Sequence, residues 1–473
     1  MSKRWILVTA LAAALGLTGG YLVADAADIV PGWITDSPLP PSPEPFPDVA
    51  AVVAVEAPGV VKGADPDAAM PSAEAVAALA ARLRDDPRMG TSTGISVVDI
   101  ETGEVLAAVR ADDPQVPASN VKVLTAVATL DALGPDRPLR TSLMWSGAPE
   151  ADGTAVITLV AGGDVLLAAE RGHGSIVGGA NAYAGLADLA DLAVTALADA
   201  GVTKVALRVD DHAFVGPGIN PRWPWYAIGQ GYVAPATGLA VDAGALTDEP
   251  YPPRHSDPSI QAAGVLSARL MERGIDVSSQ ARGIAPNGAV ELAGVDSAPM
   301  WLVLRHMLLA SDNTVAEQLV MVLALESGRV GSVAQGSAEV LSRLEALGVD
   351  TTGVRLDDGS GFSASNRISP EVLTALIVTL AGDPQLDDLL EWLPIASLRG
   401  TLHDRFVGTE GAGTVRAKTG SLSGVTSLSG TIVTVDGRWI AFSVLADGMA
   451  TGQEKPRAAV DEFIAALAAC GCG

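Results

Sequence analysis

Pro117-Ala118-Ser119-Asn120-Val121-Lys122-Val123-Leu124 opens a strongly apolar helical run. The run continues through Val127 and Leu130 and meets Gly134-Pro135, a pair that ends helices. A serine and a lysine three residues apart share one helix face. Their side chains can meet over the first turn, where unpaired backbone N–H groups favour developing negative charge. A serine hydroxyl is a poor nucleophile until a base takes its proton. A lysine can be that base only if burial or a second cation lowers its pKa. Alone, such a serine is more often simply a helix N-cap. The pair is nevertheless unique here: Lys3, Lys62, Lys204, Lys418 and Lys455 have no serine three residues before them.

Working outward, 473 residues can hold two or three domains with sizeable cores. The formal charge of −25 makes this a poor partner for nucleic acid or for an anionic membrane surface. Aromatics are scarce, so the cores must be aliphatic. Only Cys470 and Cys472 are present, as Cys-Gly-Cys near the end, open to a local disulfide, an interchain bond or no bond at all. Neither a disulfide framework nor a four-cysteine zinc site can be built from them. No metal or cofactor is expected.

Lys3-Arg4, an apolar stretch and Ala24-Asp25-Ala26 make residues 1–26 a signal peptide or an N-terminal membrane anchor. Either reading places the remainder outside the cytoplasm. Residues 27–70 are rich in proline, which holds neither a helix nor a central strand, and read as an extended linker. The spacing then predicts a helix over 72–84, strands over 95–100 and 105–109, and the Ser119 helix. From 140 to 295 short Val/Leu/Ile runs alternate with Gly, Asp and Pro clusters, the mark of an inserted α+β region packed on its own. Strands are expected at 155–160 and 205–209 and a helix at 186–200. Two apolar helices follow, at 299–309 and 314–326, with further helices at 337–347 and 370–381. Three strands occupy 413–446 around the hairpin signal Asp436-Gly437, and a helix at 457–469 covers them.

Three short motifs now stand in order: Ser119-x-x-Lys122, Ser311-Asp312-Asn313 and Lys418-Thr419-Gly420. Each has an ordinary explanation by itself, a helix cap or a strand end. Together, on a helix start, an interhelix junction and a strand, the set resembles that of the penicillin-recognising serine enzymes. Asp357-Asp358-Gly359-Ser360-Gly361-Phe362, Asn366-Arg367-Ile368-Ser369-Pro370, Arg399-Gly400-Thr401-Leu402, Val209-Asp210-Asp211 and Tyr232-Val233-Ala234-Pro235 narrow it. These, with the long insertion, resemble the class C low-molecular-mass penicillin-binding proteins, D-alanyl-D-alanine carboxypeptidases and endopeptidases. Phe362, where that family has a smaller aliphatic, and Val165, where a proline often follows the aspartate, depart from its pattern.

The resemblance implies an α+β fold: a β-lactamase/transpeptidase-like domain, an antiparallel sheet flanked by helices, made of residues 71–139 and 296–473 and interrupted by 140–295. It implies Ser119 as nucleophile, Lys122 as base, Ser311 as proton relay and Asn313 as a clamp on Lys122 and the substrate amide. Lys418 and Thr419 would take the terminal carboxylate, and Lys418 would help keep Lys122 neutral. Gly420 would admit the substrate, and backbone N–H groups of Ser119 and Ser421 would hold the oxyanion. Peptidoglycan stem peptides are the implied substrate and β-lactams the implied inhibitors. A β-lactamase is disfavoured by the insertion, and the motifs allow a protein that acylates without turnover. A Ser-His-Asp hydrolase is not: Gly90-Thr91-Ser92-Thr93-Gly94 matches G-x-S-x-G, but a helix precedes it and a strand follows, the reverse of a nucleophile elbow. His212, among five scattered histidines without metal spacing, reads as a hydrogen-bonded histidine.

Overall fold

The computed structural model describes residues 63–473, except 217, 248, 250, 450, 451, 453 and 471–473, together with Thr18, Tyr21 and Leu22. Nearly all of the signal or anchor, most of the linker and Cys472 therefore lie outside the described residues. Among those residues no helix is long and apolar enough to cross a membrane. Residues 61–473 form one compact unit.

The chain runs α1 (Ala73–Arg84), β1 (Ser92–Asp99), β2 (Val105–Val109), α2 (Val121–Leu133), β3 (Arg140–Trp145) and β4 (Ala155–Val160). It continues through α3 (Leu186–Asp199), β5 (Lys204–Asp210), α4 (Pro258–Glu272), β6 (Asp276–Arg282) and β7 (Val290–Asp296). Four helices follow, α5 (Met300–Ala310), α6 (Asn313–Glu326), α7 (Val333–Ala346) and α8 (Pro370–Ala381). The last elements are β8 (Val415–Leu422), β9 (Val425–Val433), β10 (Trp439–Asp447) and α9 (Glu454–Ala468).

The first sheet has the order β2-β1-β10-β9-β8, antiparallel throughout, so the two ends of the described chain meet in its centre. Alternation along β10 sends Phe442 and Val444 to one face and Ala441 and Leu445 to the other. On the first face they meet Val76 of α1 and Phe463 of α9; on the second, Leu376 of α8 lies in the same core as Leu124 of α2 and Leu319 of α6. β8 is an edge strand.

The second sheet, β6-β5-β4-β3-β7, is mixed: β4, β5 and β6 run parallel, while β3 is antiparallel to both β4 and β7. Helices α3 and α4 cover it through Leu189, Leu197, Leu266 and Leu270. Strands β6 and β7 escape the sequence reading for a physical reason. β6 is polar and largely exposed, so no apolar alternation announces it, while the alternation of β7 is broken where the register shifts at Leu292.

Local capping sets several boundaries that periodicity misplaces. Ser332 Oγ accepts from Gln335 N, which starts α7 at Val333, four residues before the expected position. The linker also ends sooner than residue 70. Asp65 N donates to Gly437 O, and Arg438 donates to Pro66 O and Ala68 O while its guanidinium pairs with the buried carboxylate of Asp99. A buried arginine needs acceptors for all its donors, and residues 66 and 68 supply two of them.

Candidate active site

The Ser119 turn is not the first turn of an α-helix. Ala118–Asn120 form a 3-10 turn that leads into α2, with Ala118 at φ +47°. Ser311, between α5 and α6, has φ +56°. Left-handed backbone at a residue other than glycine costs about 1–3 kcal/mol and persists only where the surroundings over-determine it. At Ala118 they do. Ser427 of β9 donates to Pro117 O at 2.8 Å and accepts from Asn120 Nδ2 at 2.7 Å. A Cβ on Gly361 would lie 1.8 Å from Ala118 O, so the 357–362 loop abuts the same turn.

Gly420 has a related role, different from the expected one. A Cβ there would meet Ser427 Oγ at 2.2 Å, Pro117 O at 2.8 Å and Ala118 Cβ at 3.0 Å. Its missing side chain therefore lets β8 close on the turn that carries Ser119, before any substrate is considered.

The structure brings the three motifs together. Lys122 Nζ lies 3.2 Å from Ser119 Oγ, 2.6 Å from Asn313 Oδ1 and 2.7 Å from the carbonyl of Ser360. Asn313 Nδ2 donates to Tyr232 O at 2.9 Å, which orients the amide so that its oxygen faces Lys122. Lys418 Nζ donates to Ser311 Oγ at 2.9 Å and to Thr419 O at 2.8 Å, and Thr419 Oγ1 donates to Thr401 Oγ1 at 2.8 Å. Ser421 sits exposed on β8, one residue beyond Gly420.

A neutral lysine amine has two N–H bonds and one lone pair. Asn313 Oδ1 and Ser360 O can only accept hydrogen bonds. With both N–H bonds directed at them, the lone pair is left to the Ser119 hydroxyl. The neighbours of Lys122 thus set the direction in which a neutral amine can accept a proton.

Both lysines are fully buried. Burial pulls Lys122 down to about 8, against the upward pull of Asp358, Glu317 and Asp312. Burial, and then Lys122, hold Lys418 well below the ordinary lysine range. This differs from the expectation that a cationic Lys418 depresses Lys122. Lys122 has carboxyl groups near it, whereas among the described residues no carboxylate supports Lys418, so the mutual repulsion falls on Lys418.

Sequence reasoning missed four contributors. Glu317, fully buried one turn after Asn313 on α6, accepts from Ser360 N at 2.9 Å and so aims the Ser360 carbonyl at Lys122. Burial, then Asp358, pushes its carboxyl up to about 8. Asp358 accepts from Gly361 N, Ser363 N, Asn366 Nδ2 and Trp223 Nε1, which ties the 357–366 loop into one body. Ser427 and the Tyr232 carbonyl are the other two. An acid inside the apolar run Val315–Leu323 was a readable signal; a backbone carbonyl and a serine in a strand were not.

The expectation of a separately packed insertion meets a difference here. Residues 220–240 leave the second sheet and lie on α6. Besides the Tyr232 and Trp223 bonds, Ala234 N donates to Thr314 Oγ1 and Gly238 N to Gln318 Oε1. Phe362 packs edge-on to Trp223 and against Tyr232, so its unusual size fills the seam between insertion and motif loop. His212 bonds the buried carboxylate of Asp210 and leaves its ring mostly exposed. Ser92 opens β1, without the strand-turn-helix of a nucleophile elbow.

An antiparallel sheet layered with helices, bearing these three motifs around one groove, is the fold of the penicillin-recognising serine enzymes. Its solved relatives include penicillin binding protein 4 of Haemophilus influenzae, with a TM-score of 0.69, 22% identity, and coverage of 82% of this chain and 98% of that one. A carboxypeptidase of Mycobacterium tuberculosis is 36% identical over 91% of this chain and 90% of its own length. Carboxypeptidase DacB of Mycolicibacterium smegmatis is 33% identical over 99% and 95%. The profile of the D-Ala-D-Ala carboxypeptidase 3 (S13) family matches residues 75–256 and 247–469. The chain belongs to that family and is a serine-type D-Ala-D-Ala carboxypeptidase.

Proposed function

We propose that this enzyme cleaves D-Ala-D-Ala-type bonds of peptidoglycan stem peptides through an acyl-enzyme on Ser119, and that β-lactams acylate the same serine. The observation that carries the reading is the lone pair of Lys122, confined to Ser119 by two acceptor-only partners. Ser119 Oγ attacks the carbonyl carbon of the penultimate residue, and its proton passes to Lys122 Nζ. Backbone N–H groups of Ser119 and Ser421 hold the oxyanion; one such donor is worth about 10²–10³ in rate. The C–N bond then breaks, and Ser311, held by Lys418, relays a proton to the departing amine. Water next attacks the acyl carbon with Lys122 again as base, releasing the acid and restoring Ser119.

The substrate carboxylate, meeting Lys418 and Thr419, supplies the counter-charge that Lys418 lacks. An ammonium stabilised at 418 in turn disfavours a proton on Lys122. Substrate arrival and base activation are one electrostatic event. A base with a pKa of about 8 gives an acylation kcat/KM that rises with pH to about 8 and then levels.

In this reading residues 71–139 and 296–473 are the catalytic domain, with 65–70 docked on it, 140–295 an inserted domain, the stretch from 27 to 64 a linker, and 1–26 a signal peptide or anchor that sends the enzyme to the cell wall. A β-lactam complex solved for the Haemophilus protein supports β-lactams as ligands. The test is intact-mass spectrometry with penicillin on wild type and Ser119→Ala, followed by product analysis on stem peptides ending in D-Ala-D-Ala. One penicilloyl adduct on wild type, none on the variant, and release of D-alanine are expected. An adduct that persists in Ser119→Ala, or acylation without any release of D-alanine, overturns the reading.

A further inference from the structure

Three arginines stand behind the carboxylate-binding end of the groove, each on an element that also carries a site residue. Arg416 lies two residues before Lys418 on β8 and on the same face, on the order of 7 Å away along the strand. Arg399 lies two residues before Thr401, at the entrance to the 3-10 turn Gly400–Leu402. Arg305 lies six residues before Ser311 on α5, roughly 9 Å along the helix. The 3-10 turn rests directly on α5: a Cβ on Gly400 would lie 3.0 Å from Leu309.

Of the three guanidinium groups only that of Arg416 has a carboxylate partner among the described residues. Arg416 pairs with the exposed Glu391 at 2.7 Å, and Arg399 donates only to the backbone carbonyl of that residue, at 2.5 Å. Among the described residues Arg305 and Arg399 form no ion pair, and the Nε of each is buried without a hydrogen-bond partner. Burial, then Arg305, then Arg416, hold Arg399 below the ordinary guanidinium value. In a chain of net charge −25, three like charges gathered around a single exposed carboxylate are a cost that folding alone does not require.

The strand edge gives this patch a direction. The outer edge of β8 is occupied up to Ala417, whose N–H donates to Pro394 O, while Ala396 N donates to Val415 O. Beyond Ala417 the described residues place no strand on that edge. A substrate carboxylate at Lys418 and Thr419, with Ser119 beside Gly420, therefore sends the acyl half toward Ser421. The leaving half points past Lys418 to Arg416, Arg399 and Arg305.

We infer that the Arg305–Arg399–Arg416 cluster is an anion subsite for the leaving group, taking the carboxylates of a second stem peptide whose amine departs when a cross-link is cut. The inference rests on the reading of Ser119 as the acylated residue. A lone D-alanine carries just the one carboxylate that Lys418 and Thr419 already hold, so it does not reach the cluster. A cross-linked peptide dimer brings further carboxylates on the leaving side. The cluster then favours endopeptidase over carboxypeptidase action.

The experiment compares kcat/KM of wild type and Arg305→Gln/Arg399→Gln on three substrates: a cross-linked stem-peptide dimer, the same dimer with its acceptor-side carboxylates amidated, and a diacyl tripeptide ending in D-Ala-D-Ala. Two partly exposed charge-assisted contacts are worth about tenfold together. The expected result is a fall of about tenfold on the free-acid dimer, with the amidated dimer and the tripeptide within twofold of wild type. Arg305→Lys/Arg399→Lys, which keeps both charges, should recover most of the loss. Equal losses on all three substrates, or no loss on the free-acid dimer, overturn the inference. Binding of the two dimers to Ser119→Ala repeats the comparison without turnover; equal affinity for both overturns it as well. Penicillin acylation of wild type is the separate control: if that fails, the acyl-enzyme reading fails, whereas acylation with no dimer effect removes only the arginine subsite.

Discussion

The two sheets bury different chemistry. Around the first, Lys122, Lys418, Glu317 and Asp358 are all fully buried, and each is held by named partners. Around the second, the core is aliphatic: Leu143, Ile157, Leu189 and Leu266 pack together, and the ion pairs stay outside. Arg140 with Glu291 and Asp296, and Arg282 with Asp211 and Asp257, all have half-exposed guanidinium groups. Exposed pairs of that kind are worth roughly 0–1 kcal/mol each, whereas an uncompensated buried charge costs several. The catalytic side spends stability to hold groups in reactive states. The inserted side spends less, chiefly at Asp164, whose carboxyl burial pushes up to about 7, and its contribution to the site is made by a backbone carbonyl and an indole N–H.

The sharpest way to break that contrast is Leu189→Ala, at the centre of the second core. A buried leucine truncated to alanine costs about 2–5 kcal/mol. Thermal unfolding should register that loss. If residues 220–240 hold Asn313 through a well-anchored insertion, penicillin acylation at temperatures well below the transition should stay within about threefold of wild type. A large loss of acylation in a fully folded variant would show that the second core tunes the site and is not merely its scaffold.

Lys418→Ala should come next in size. Loss of one charge-assisted carboxylate contact accounts for up to about a hundredfold. In the free enzyme burial sets the pKa of Lys122 and Lys418 is itself depressed, so the acidic limb of the kcat/KM profile should stay near pH 8 in the variant. A limb that moves to higher pH would mean that Lys418 is already cationic before substrate arrives.

Glu317→Gln should give the smallest effect and the most specific. Gln keeps the Oε1 that accepts from Ser360 N, so the carbonyl facing Lys122 stays in place. Burial raises the Glu317 pKa from 4.5 to about 8 in the folded protein. Below about 4.5 folded and unfolded chains are both protonated. Between there and about 8 the unfolded chain releases a proton that the folded protein keeps, so stability falls as pH rises through that window. The variant has no such slope. The gap between its melting temperature and that of wild type should therefore widen in favour of Gln from pH 5 to 8, with acylation retained. A constant gap would mean that Glu317 is ionised throughout.

The outcomes at particular residues show where sequence reading ends. The motif order is a one-dimensional fact, and it led to the fold, the family and the residues of the groove. The apolar runs of α2, α6 and α8 and the Asp436-Gly437 hairpin are local patterns, and they stand close to where they were expected. The polar, exposed β6 was illegible because its pairing partner, not its composition, makes it a strand.

By itself, the sequence determined that a serine and a lysine share a turn, that two further polar motifs follow on separate elements, and that an acidic chain surrounds them. It could do so because each of these depends on neighbours within a few residues. Only the tertiary structure decided where the lone pair of a neutral Lys122 points, through Ser360 O and Asn313 Oδ1, which lie some two hundred residues from Lys122. It alone decided that carboxyl groups lie near Lys122 while the neighbour felt by Lys418 is another lysine, that Gly420 is bare for the sake of Ala118, and that three arginines from distant segments feel one another's charge. Charge state and hydrogen-bond direction depend on which groups meet at about 3 Å in a dry interior, and chain order does not encode that meeting except through the finished fold.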